Sequence, residues 1–453
     1  MPGLTELPYP DSSLDLFRRL RSLPLPVILH SGQSQHPDAR FDVLAADPQI
    51  KFHYENGIFT IESEAEVQRI NTDNPFATLD QHMSLDEGFF LNEALPLQYG
   101  LIGYFAYSAL HRQHRVQTNM DRGPALPEVL AGTYAWIIVV DHHLKRCHLS
   151  WQDSCPDGKL ERLQELLRQP APEAQGFSLQ TDFVSNLSWR DYEAMFEQAM
   201  NYIHAGDCYQ VNLAQCFQAA CKGDSFSAFC RLQSLAQAPF AAYIEHAQQA
   251  VLCFSPERFL QVRNKRVLTQ PIKGTRPRYA NSKEDRAALD DLLGSAKDRA
   301  ENLMIVDLLR NDLGRVCQTG SVEVKSLFEA HSFPNVHHLL SAIVGELDQA
   351  QDIWHLLAAC FPGGSITGTP KRRAMEIIEE LETVPRSVYC GSIAWIDQNG
   401  NMDSNIAIRT LVRDDDQLYC WGGGGIVADS RAREEYQESL DKIALFLDAL
   451  AKP

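Results

Sequence analysis

The sequence predicts an α+β fold with antiparallel sheets, on two main observations. Strand patterns dominate residues 25–150, whereas the rest of the chain mixes strands with long helices. The two kinds of element do not alternate in the strict strand–helix order of a doubly wound sheet. The chain has 453 residues, of which 44% are hydrophobic and 22% charged, so it can bury a large core.

Individual elements follow from periodicity and from the residues at their ends. The strands expected in the first third of the chain are Val27–Leu29, Phe52–Tyr54, Ile58–Ile61, Gly100–Tyr107 and Ala135–Val140. The helices expected later are Trp189–Ala205 with Gly206 as its C-cap, residues 296–312, one that starts at Thr369 (N-cap) and Pro370, and Arg431–Leu450.

A change of composition between Gln152 and Asp182 divides the chain. This segment contains proline, glycine and polar residues around one short helix, Leu160–Arg168. We therefore predict an N-terminal region (1–151), a connector (152–182) and a C-terminal region (183–453).

Charge and composition exclude several classes of partner. The net charge of -18 argues against a nucleic-acid or anionic membrane surface. No apolar run reaches transmembrane length, and the N-terminus lacks the pattern of a signal peptide. The 11 cysteines are scattered without a CxxC pair, so we expect reduced thiols and a cytoplasmic protein.

Lys273 is the most informative single residue. It follows a predicted strand, Arg266–Ile272, and precedes Gly274, which lets a ligand approach the backbone. A lysine that points inward at this place is either a cation for an acidic ligand or a nucleophile with a lowered pKa. The alternative is a lysine that points into water.

Two predicted helices carry pairs of acids three residues apart. Asp298 and Glu301 share one helix face, and Glu435 and Glu438 share another. If the faces meet, they form a site of oxygen ligands that suits Mg²⁺. The alternative is two solvated faces paired with basic neighbours, namely Lys297, Arg299 and Lys442.

Two glycine-rich segments and one arginine are further candidates. The loop Gly363–Gly368 precedes a predicted helix, whose N-terminus favours an anion. The run Gly422–Gly425 lacks the spacing of a dinucleotide fingerprint, and it either admits a flat ligand or bends the chain. Arg409 is a charge in an apolar run, and its guanidinium suits a ligand carboxylate.

In this order along the chain, these segments resemble the chorismate-utilising enzymes, the family of anthranilate synthase component I. The resemblance implies two antiparallel sheets packed as a sandwich, with surrounding helices. The stretches that carry it are Gly206-Asp-Cys-Tyr-Gln-Val-Asn-Leu, Ser255-Pro-Glu-Arg-Phe, Pro271-Ile-Lys-Gly-Thr, Ala300-Glu-Asn-Leu-Met-Ile-Val-Asp-Leu, Arg310-Asn-Asp-Leu, His338-Leu, Gly364-Ser-Ile-Thr-Gly, Ile408-Arg-Thr and Gly423-Gly-Gly-Ile-Val-Ala-Asp-Ser.

Lys273 discriminates between branches of this family. Anthranilate synthases have a small residue at this place, whereas the lysine form resembles aminodeoxychorismate synthase component I, of the p-aminobenzoate and folate pathway. In that branch a lysine is implicated as a nucleophile on the chorismate ring, and a glutamine amidotransferase subunit supplies ammonia. The alternatives are anthranilate synthase component I and an inactive, amino-acid-binding regulatory homologue.

The resemblance also implies roles for individual residues. Lys273 would be the nucleophile and Glu257 the general acid. Mg²⁺ would bind Glu301 and Glu438, with Glu435 and Asp298 beside them. The residues implied to hold chorismate are Gly274, Thr275, His338, Thr367, Tyr389, Arg409, Gly423, Gly425 and Lys442.

An N-terminal pocket is the last implied site. In this family the corresponding pocket binds tryptophan as a feedback inhibitor, but an enzyme of folate synthesis has no metabolic reason to respond to it. We therefore expect a bound, structural tryptophan, with a packed core as the alternative. The residues concerned are Ser31, Arg40, Phe41, Asp42, Pro239 and Phe240.

Overall fold

The computed structural model describes residues 2–32, 36, 38–83, 91, 92, 94–117, 122–332 and 336–451. Within them, no helix is both long and apolar enough to span a membrane. The helices are α1 (Ser13–Leu20), α2 (Pro75–His82), α3 (His111–His114), α4 (Asp157–Arg168), α5 (Trp189–Ala205), α6 (Ser225–Ala236), α7 (Ser282–Gly294), α8 (Ala296–Leu313), α9 (Ile353–Cys360), α10 (Lys371–Leu381) and α11 (Ala432–Ala451).

The strands form two antiparallel sheets, as predicted. They are β1 (Gly3–Leu7), β2 (Val27–His30), β3 (Phe41–Ala45), β4 (Ile50–Glu55), β5 (Ile58–Ser63), β6 (Val67–Asn71), β7 (Gly100–Phe105), β8 (Val129–Tyr134), β9 (Trp136–Asp141), β10 (Arg146–Trp151), β11 (Phe177–Leu179), β12 (Val184–Ser185), β13 (Gln210–Gly223), β14 (Phe240–His246), β15 (Gln249–Ser255), β16 (Arg258–Arg263), β17 (Arg266–Thr269), β18 (Ile272–Pro277), β19 (Glu323–Ser332), β20 (Val336–Glu346), β21 (Gly368–Thr369), β22 (Ser392–Asp397), β23 (Met402–Asn405), β24 (Thr410–Asp414) and β25 (Gln417–Val427).

Both sheets combine strands from distant parts of the chain. The first has the order β1-β10-β9-β3-β2-β14-β15-β24-β25-β13-β11, and β12 and β21 also pair with β13. The second has the order β18-β20-β17-β16-β23-β22-β7-β8-β4-β5-β6, and β19 also pairs with β20. Strands from both sides of the predicted connector therefore lie side by side in each sheet. The three predicted ranges divide the sequence, but they do not correspond to separate sheets.

The first sheet is buried on both faces, as the alternation along β15 illustrates. Val251 and Cys253 belong to the core cluster that also contains side chains of the second sheet. Leu252 and Phe254 point the other way, into a second cluster with side chains of α1, α6 and α11. Because successive strand residues face opposite sides, one strand contributes to both cores.

The helix α5 begins and ends where its capping residues predict. Ser188 and Asp191 form a capping box at the N-terminus. Gly206 closes the C-terminus in the left-handed conformation, with φ of 84°. One face of α10 is buried, since Ala374, Ile377 and Ile378 are almost fully covered.

The predicted start of α10 is wrong. Thr369 was expected to cap the helix, but it pairs with Gln210 in the short strand β21. Its carbonyl oxygen accepts a hydrogen bond from the N–H of Tyr209 at 2.8 Å. The strand pairing thus uses the backbone of Thr369, and Pro370 takes the N-cap position without a side-chain hydrogen bond.

A buried ion pair at the start of α10 joins three helices. The Lys371 ammonium donates to Asp312 Oδ2 on α8 and to the carbonyl oxygen of Cys360 on α9, both at 2.6 Å. Asp312 is completely buried. Lys371 is therefore committed to a structural contact, and it holds α8 against the loop that precedes α10.

Replacing Lys371 with methionine should destabilise the protein, because the buried Asp312 carboxylate loses its close cation and keeps the longer contact with Arg315, at 3.6 Å. Breaking a buried pair in this way costs about 3 kcal/mol or more. We expect the midpoint of thermal unfolding to fall by several degrees, and Asp312→Asn in the same chain to recover part of the loss. Calorimetry measures both.

The matched control for this prediction is Arg310→Met. Arg310 pairs with Asp307 on the exposed face of the same helix, where both side chains are more than half exposed. Such pairs contribute well under about 1 kcal/mol. Equal midpoints for the Lys371 and Arg310 variants would contradict the assigned role of the buried pair.

Candidate active site

Lys273 lies inside strand β18, not at the end of the preceding strand as predicted. It pairs with Leu339, and the register shifts between Lys273 and Thr275. Gly274, at the shift, has φ of 79°, and a Cβ at this position would lie 2.8 Å from Leu292. The predicted strand end is therefore an irregular point within the second sheet, and glycine is required there.

The surroundings of Lys273 favour a neutral amine. Burial lowers the pKa of its ammonium group. The negative charge of Glu301 opposes this effect, while the positive charge of Lys442 adds to it. The net pKa is lowered from the ordinary lysine value, which is the condition for a nucleophilic lysine.

Glu257 is a buried carboxyl group next to this amine. Burial raises its pKa to about 7, although the Ser365 hydroxyl and the charge of Lys273 act in the opposite direction. The Ser365 hydroxyl donates to Glu257 Oε1 at 2.8 Å. A carboxyl group with this pKa can hold a proton near neutral pH and donate it.

The acidic faces of α8 and α11 meet, with Lys297 between them. Its ammonium nitrogen lies 3.5 Å from Glu435 Oε1 and 4.0 Å from Glu301 Oε1. Glu435 is only 2% exposed and accepts a hydrogen bond from the Ser430 hydroxyl. The carboxylates are thus brought together at the site instead of standing on two solvated faces.

The four glycines of β25 allow this meeting. The strand continues through them, so they neither bend the chain nor end the strand. A Cβ at Gly422 would lie 2.2 Å from the carbonyl oxygen of Ser439, which means that α11 rests directly on the strand backbone. At Gly424 a Cβ would lie 3.3 Å from Glu435 Oε2 and 3.6 Å from Glu438 Oε1.

Asp298 stands apart from the other three acids. Its carboxylate pairs with Arg276 of β18 at 3.1 Å, and Arg276 also binds Asp291 of α7 at 2.6 Å. Its side chain also lies beside Gly274, where a Cβ would be 3.1 Å from the Cβ and Cγ atoms of Asp298. The contact of Asp298 is therefore with the strand that carries Lys273.

The carboxylate oxygens at the contact between α8 and α11 suit a divalent cation. Three carboxylates supply only oxygen atoms, and an ammonium group now stands between two of them. Burial raises the pKa of Glu301, the positive charges of Lys273 and Lys297 oppose this effect, and the negative charges of Asp298 and Glu435 add to it, so a cation is favoured beside this carboxylate. As the side chains stand, the described part of the chain has no three acidic, histidine or cysteine groups in metal-binding geometry.

Arg409 and His338 form a second part of the site. Burial lowers the pKa of Arg409, and Glu257 is the negative charge that opposes this. Burial also lowers the pKa of His338 to about 3, and the charge of Arg409 lowers it further, so the imidazole is neutral. The Thr275 hydroxyl is hydrogen-bonded to His338 Nδ1 at 3.0 Å.

A cavity of about 380 Å³ opens at this part of the site. His338, Arg409 and Lys442 lie on its wall with mainly apolar neighbours. The Lys442 ammonium donates to the carbonyl oxygen of Gly423 at 2.9 Å and to Glu438 at 2.7 Å. Three groups that can meet an anion thus face one opening, and Asp441 is an acidic residue on the same wall.

The remaining predicted substrate residues lie on the elements that surround these groups. The Thr367 hydroxyl is buried and donates to the carbonyl oxygen of Gly363 at 2.9 Å. Tyr389 is buried and stacks on Trp421, with ring centroids 5.9 Å apart. Gly425 pairs with Asn212 in the first sheet. Their roles toward a substrate remain predictions.

Two residues at the site were not found from the sequence. Ser365, which donates a hydrogen bond to Glu257, lies within a stretch that carries the family resemblance. That stretch could have indicated Ser365 as a site residue. Arg386 donates to the backbone of the same loop. Its local contact is the ion pair with Glu382, which does not point to the loop, and the carbonyl oxygens that it binds are distant in sequence.

A separate cavity of about 250 Å³ lies between the two sheets and is lined by residues of both the N-terminal and the C-terminal region. Five of the six residues predicted for an amino-acid site line it, namely Ser31, Arg40, Phe41, Pro239 and Phe240. The sixth, Asp42, is completely buried behind the wall and accepts hydrogen bonds from the N–H and hydroxyl of Ser31.

The comparisons with known proteins agree with the geometry. A sequence model of the chorismate binding enzyme family matches residues 34–448. The chain belongs to the chorismate binding enzymes. Anthranilate synthase component I from Streptococcus pneumoniae TIGR4 has a similar structure, with a TM-score of 0.81 and 31% identity, covering 91% of this chain and 93% of that one. This similarity confirms the predicted fold.

Curated relatives fall into two groups. Aminodeoxychorismate synthase component 1 of Escherichia coli (strain K12) is 44% identical, over 98% of this chain and 97% of that protein. The protein of the same name from Klebsiella aerogenes is 43% identical, over 99% of both chains. Anthranilate synthase component 1 of Pseudomonas putida is 31% identical, over 97% of this chain and 93% of that protein. The predicted resemblance is therefore confirmed.

Proposed function

We propose that the protein is the synthase component that converts chorismate and ammonia into 4-amino-4-deoxychorismate, for p-aminobenzoate and folate synthesis. The observation that carries this proposal is the buried Lys273, whose pKa is lowered in a site that also holds the carboxyl group of Glu257. The higher identity to aminodeoxychorismate synthases than to anthranilate synthases supports the same choice.

The proposed reaction has two displacements. The neutral amine of Lys273 adds to C2 of the ring, both ring double bonds shift, and the 4-hydroxyl leaves as water with a proton from Glu257. Ammonia then adds at C4, both double bonds shift back, and the C2–nitrogen bond to Lys273 breaks. The overall change is chorismate plus ammonia to aminodeoxychorismate plus water.

Charge complementarity supports the placement of the substrate. Chorismate carries two carboxylates, and Arg409, Lys442 and the neutral His338 line one opening. In our proposal Arg409 and Lys442 hold carboxylate oxygens, while Gly423 and Gly425 offer backbone contacts. Thr275, Thr367, Tyr389 and His338 would border the ring.

The proposal includes a resident Mg²⁺ held by Glu301, Glu435 and Glu438. The ion would take the place that the Lys297 ammonium now occupies between the two helices. When bound, it supplies a positive charge that orients a substrate carboxylate and neutralises charge as the hydroxyl departs.

The partner and compartment follow from the same proposal. A separate glutamine amidotransferase subunit would supply ammonia and form a heterodimer with this chain, which the words "component 1" in the names of the relatives support. All 11 cysteines are free thiols, which is consistent with the cytoplasm.

Product identification tests the reaction. With chorismate, Mg²⁺ and ammonia, we expect 4-amino-4-deoxychorismate by mass spectrometry and chromatography. Without ammonia, an adduct should accumulate on Lys273 and disappear in Lys273→Ala. Anthranilate as the product would favour the anthranilate synthase alternative, and no product with intact chorismate binding would favour the regulatory one.

Glu438→Gln should weaken the binding of Mg²⁺ and chorismate together, because the variant keeps the shape of the side chain and removes its charge. We expect at least a tenfold loss in Mg²⁺ affinity by calorimetry, in line with a lost carboxylate ligand. Glu434→Gln is the control, since Glu434 lies on the same helix and pairs with Arg431 in the exposed first turn. Equal Mg²⁺ affinity in both variants would refute the ligand assignment.

The cavity between the sheets suits an aromatic amino acid, and we propose that it holds tryptophan as a structural ligand. Phe41 and Phe240 offer rings, and Pro239 lies next to them on the wall. The wall also carries Arg263, which stacks on Trp395 with the guanidinium 4.5 Å from the ring centroid. Ser31 lies on the same wall, with its hydroxyl held by Asp42.

Protein purified without added tryptophan should release it in near-stoichiometric amounts on denaturation, as measured by amino-acid analysis. Further tryptophan should leave the rate unchanged, because a filled site cannot respond to its ligand. Phe240→Ala should release less, whereas Leu144→Ala, on an exposed turn, should not differ from wild type. The absence of any released amino acid would exclude the structural ligand.

A further inference from the structure

Arg386 is a buried arginine whose guanidinium joins three separate segments. It forms a bidentate ion pair with the Glu382 carboxylate, at 2.7 and 2.9 Å. It also donates to the carbonyl oxygen of Ile366 at 2.8 Å and to that of Asn212 at 2.9 Å. Its side chain is 1% exposed, so these contacts form in a dry environment where they are strong.

These contacts hold the loop that precedes β21 against strand β13. The Asn212 side chain donates to the carbonyl oxygen of Ser365 at 3.0 Å, and the Asn212 N–H donates to that of Thr367 at 2.7 Å. Ile366 lies between these two residues and is bound by Arg386 itself. Three consecutive carbonyl oxygens of the loop are therefore fixed.

The same loop carries the hydroxyl that meets Glu257. Ser365 Oγ donates to Glu257 Oε1, and this hydrogen bond favours the charged form of the carboxyl group. The charged groups that face Glu257 are Lys273 of β18, Lys442 of α11 and Arg409 just before β24. None of them touches the loop through a hydrogen bond within the described residues, so Ser365 is the loop's own link to Glu257.

We infer that Arg386 is a positioning residue that sets the ionisation of Glu257 through the loop Gly364–Thr367. The inference rests on the proposed role of Glu257 as the general acid. Arg386 touches neither Glu257 nor the cavity, and it acts by fixing the Ile366 carbonyl and hence the Ser365 hydroxyl. A lysine cannot replace it, because only the planar guanidinium reaches Glu382 and two carbonyl oxygens at once.

The pH profile of kcat/KM, measured at a constant concentration of free ammonia, tests this inference. A general acid acts in its protonated form, so activity falls as pH rises through its pKa. Losing the Ser365 hydrogen bond raises the pKa of Glu257. The decrease of kcat/KM at high pH, which is the falling limb of the profile, therefore moves to higher pH. We expect a shift of about one pH unit for Ser365→Ala, as for the loss of one charge-assisted hydrogen bond.

Arg386→Lys should move the same limb in the same direction, and the double variant with Ser365→Ala should move it no further. Arg21→Lys is the control for the loss of a partly buried arginine that binds two acids, since Arg21 pairs with Asp224 and Glu245, which take no part in the proposed site. It should lower thermal stability and leave the limb in place. If Arg386→Lys does not fold, Glu382→Gln weakens the same guanidinium contact and should shift the limb less, in the same direction.

The outcomes separate the two proposals. If Ser365→Ala shifts the limb but the Arg386 and Glu382 variants leave it unchanged, the inference about Arg386 is overturned and the role of Glu257 stands. If kcat/KM of Glu257→Gln still decreases at high pH as in the wild type, the assignment of Glu257 as the general acid is refuted. Additive shifts in the Arg386 and Ser365 double variant would also overturn the inference, because they would mean independent effects.

Discussion

The site depends on one electrostatic constraint, which is the burial of a lysine amine among carboxylates from other elements. Lys273 enters from the second sheet, and Glu301 approaches from α8. Burial disfavours the charged amine, while each nearby carboxylate favours it. The ionisation of the amine is therefore set by the positions of several separate elements, and much of the surrounding structure maintains those positions.

Different contacts fix each of these elements. The ion pair between Lys371 and Asp312 secures α8 at its far end, and Arg276 ties the start of α8 to the strand of Lys273. The glycine run of β25 brings α11 into direct contact with the first sheet. These backbone and ion-pair contacts, most of them outside the cavity, fix the positions of α8 and α11. The carboxylates of the two helices are close together for that reason.

Local signals in the sequence were sufficient for much of this picture. The end of α5 follows from Gly206, whereas the acidic spacing of α8 and α11 left open whether Glu301 and Glu435 meet. The prediction for Thr369 was wrong because its backbone pairs with a strand that is distant in sequence. Arg386 was missed for a related reason, since its two carbonyl partners lie 20 and 174 residues away and its local ion pair with Glu382 does not point to them.

The interleaving of early and late strands has a consequence for synthesis on the ribosome. Strand β2 needs β14 as a neighbour, and the first sheet is complete only after β25. Strands β2 and β7 therefore emerge long before one partner each, β14 and β22, for an interval on the order of tens of seconds at typical translation rates. During that interval the nascent chain has open sheet edges, which makes it a natural client for chaperones that bind extended apolar segments.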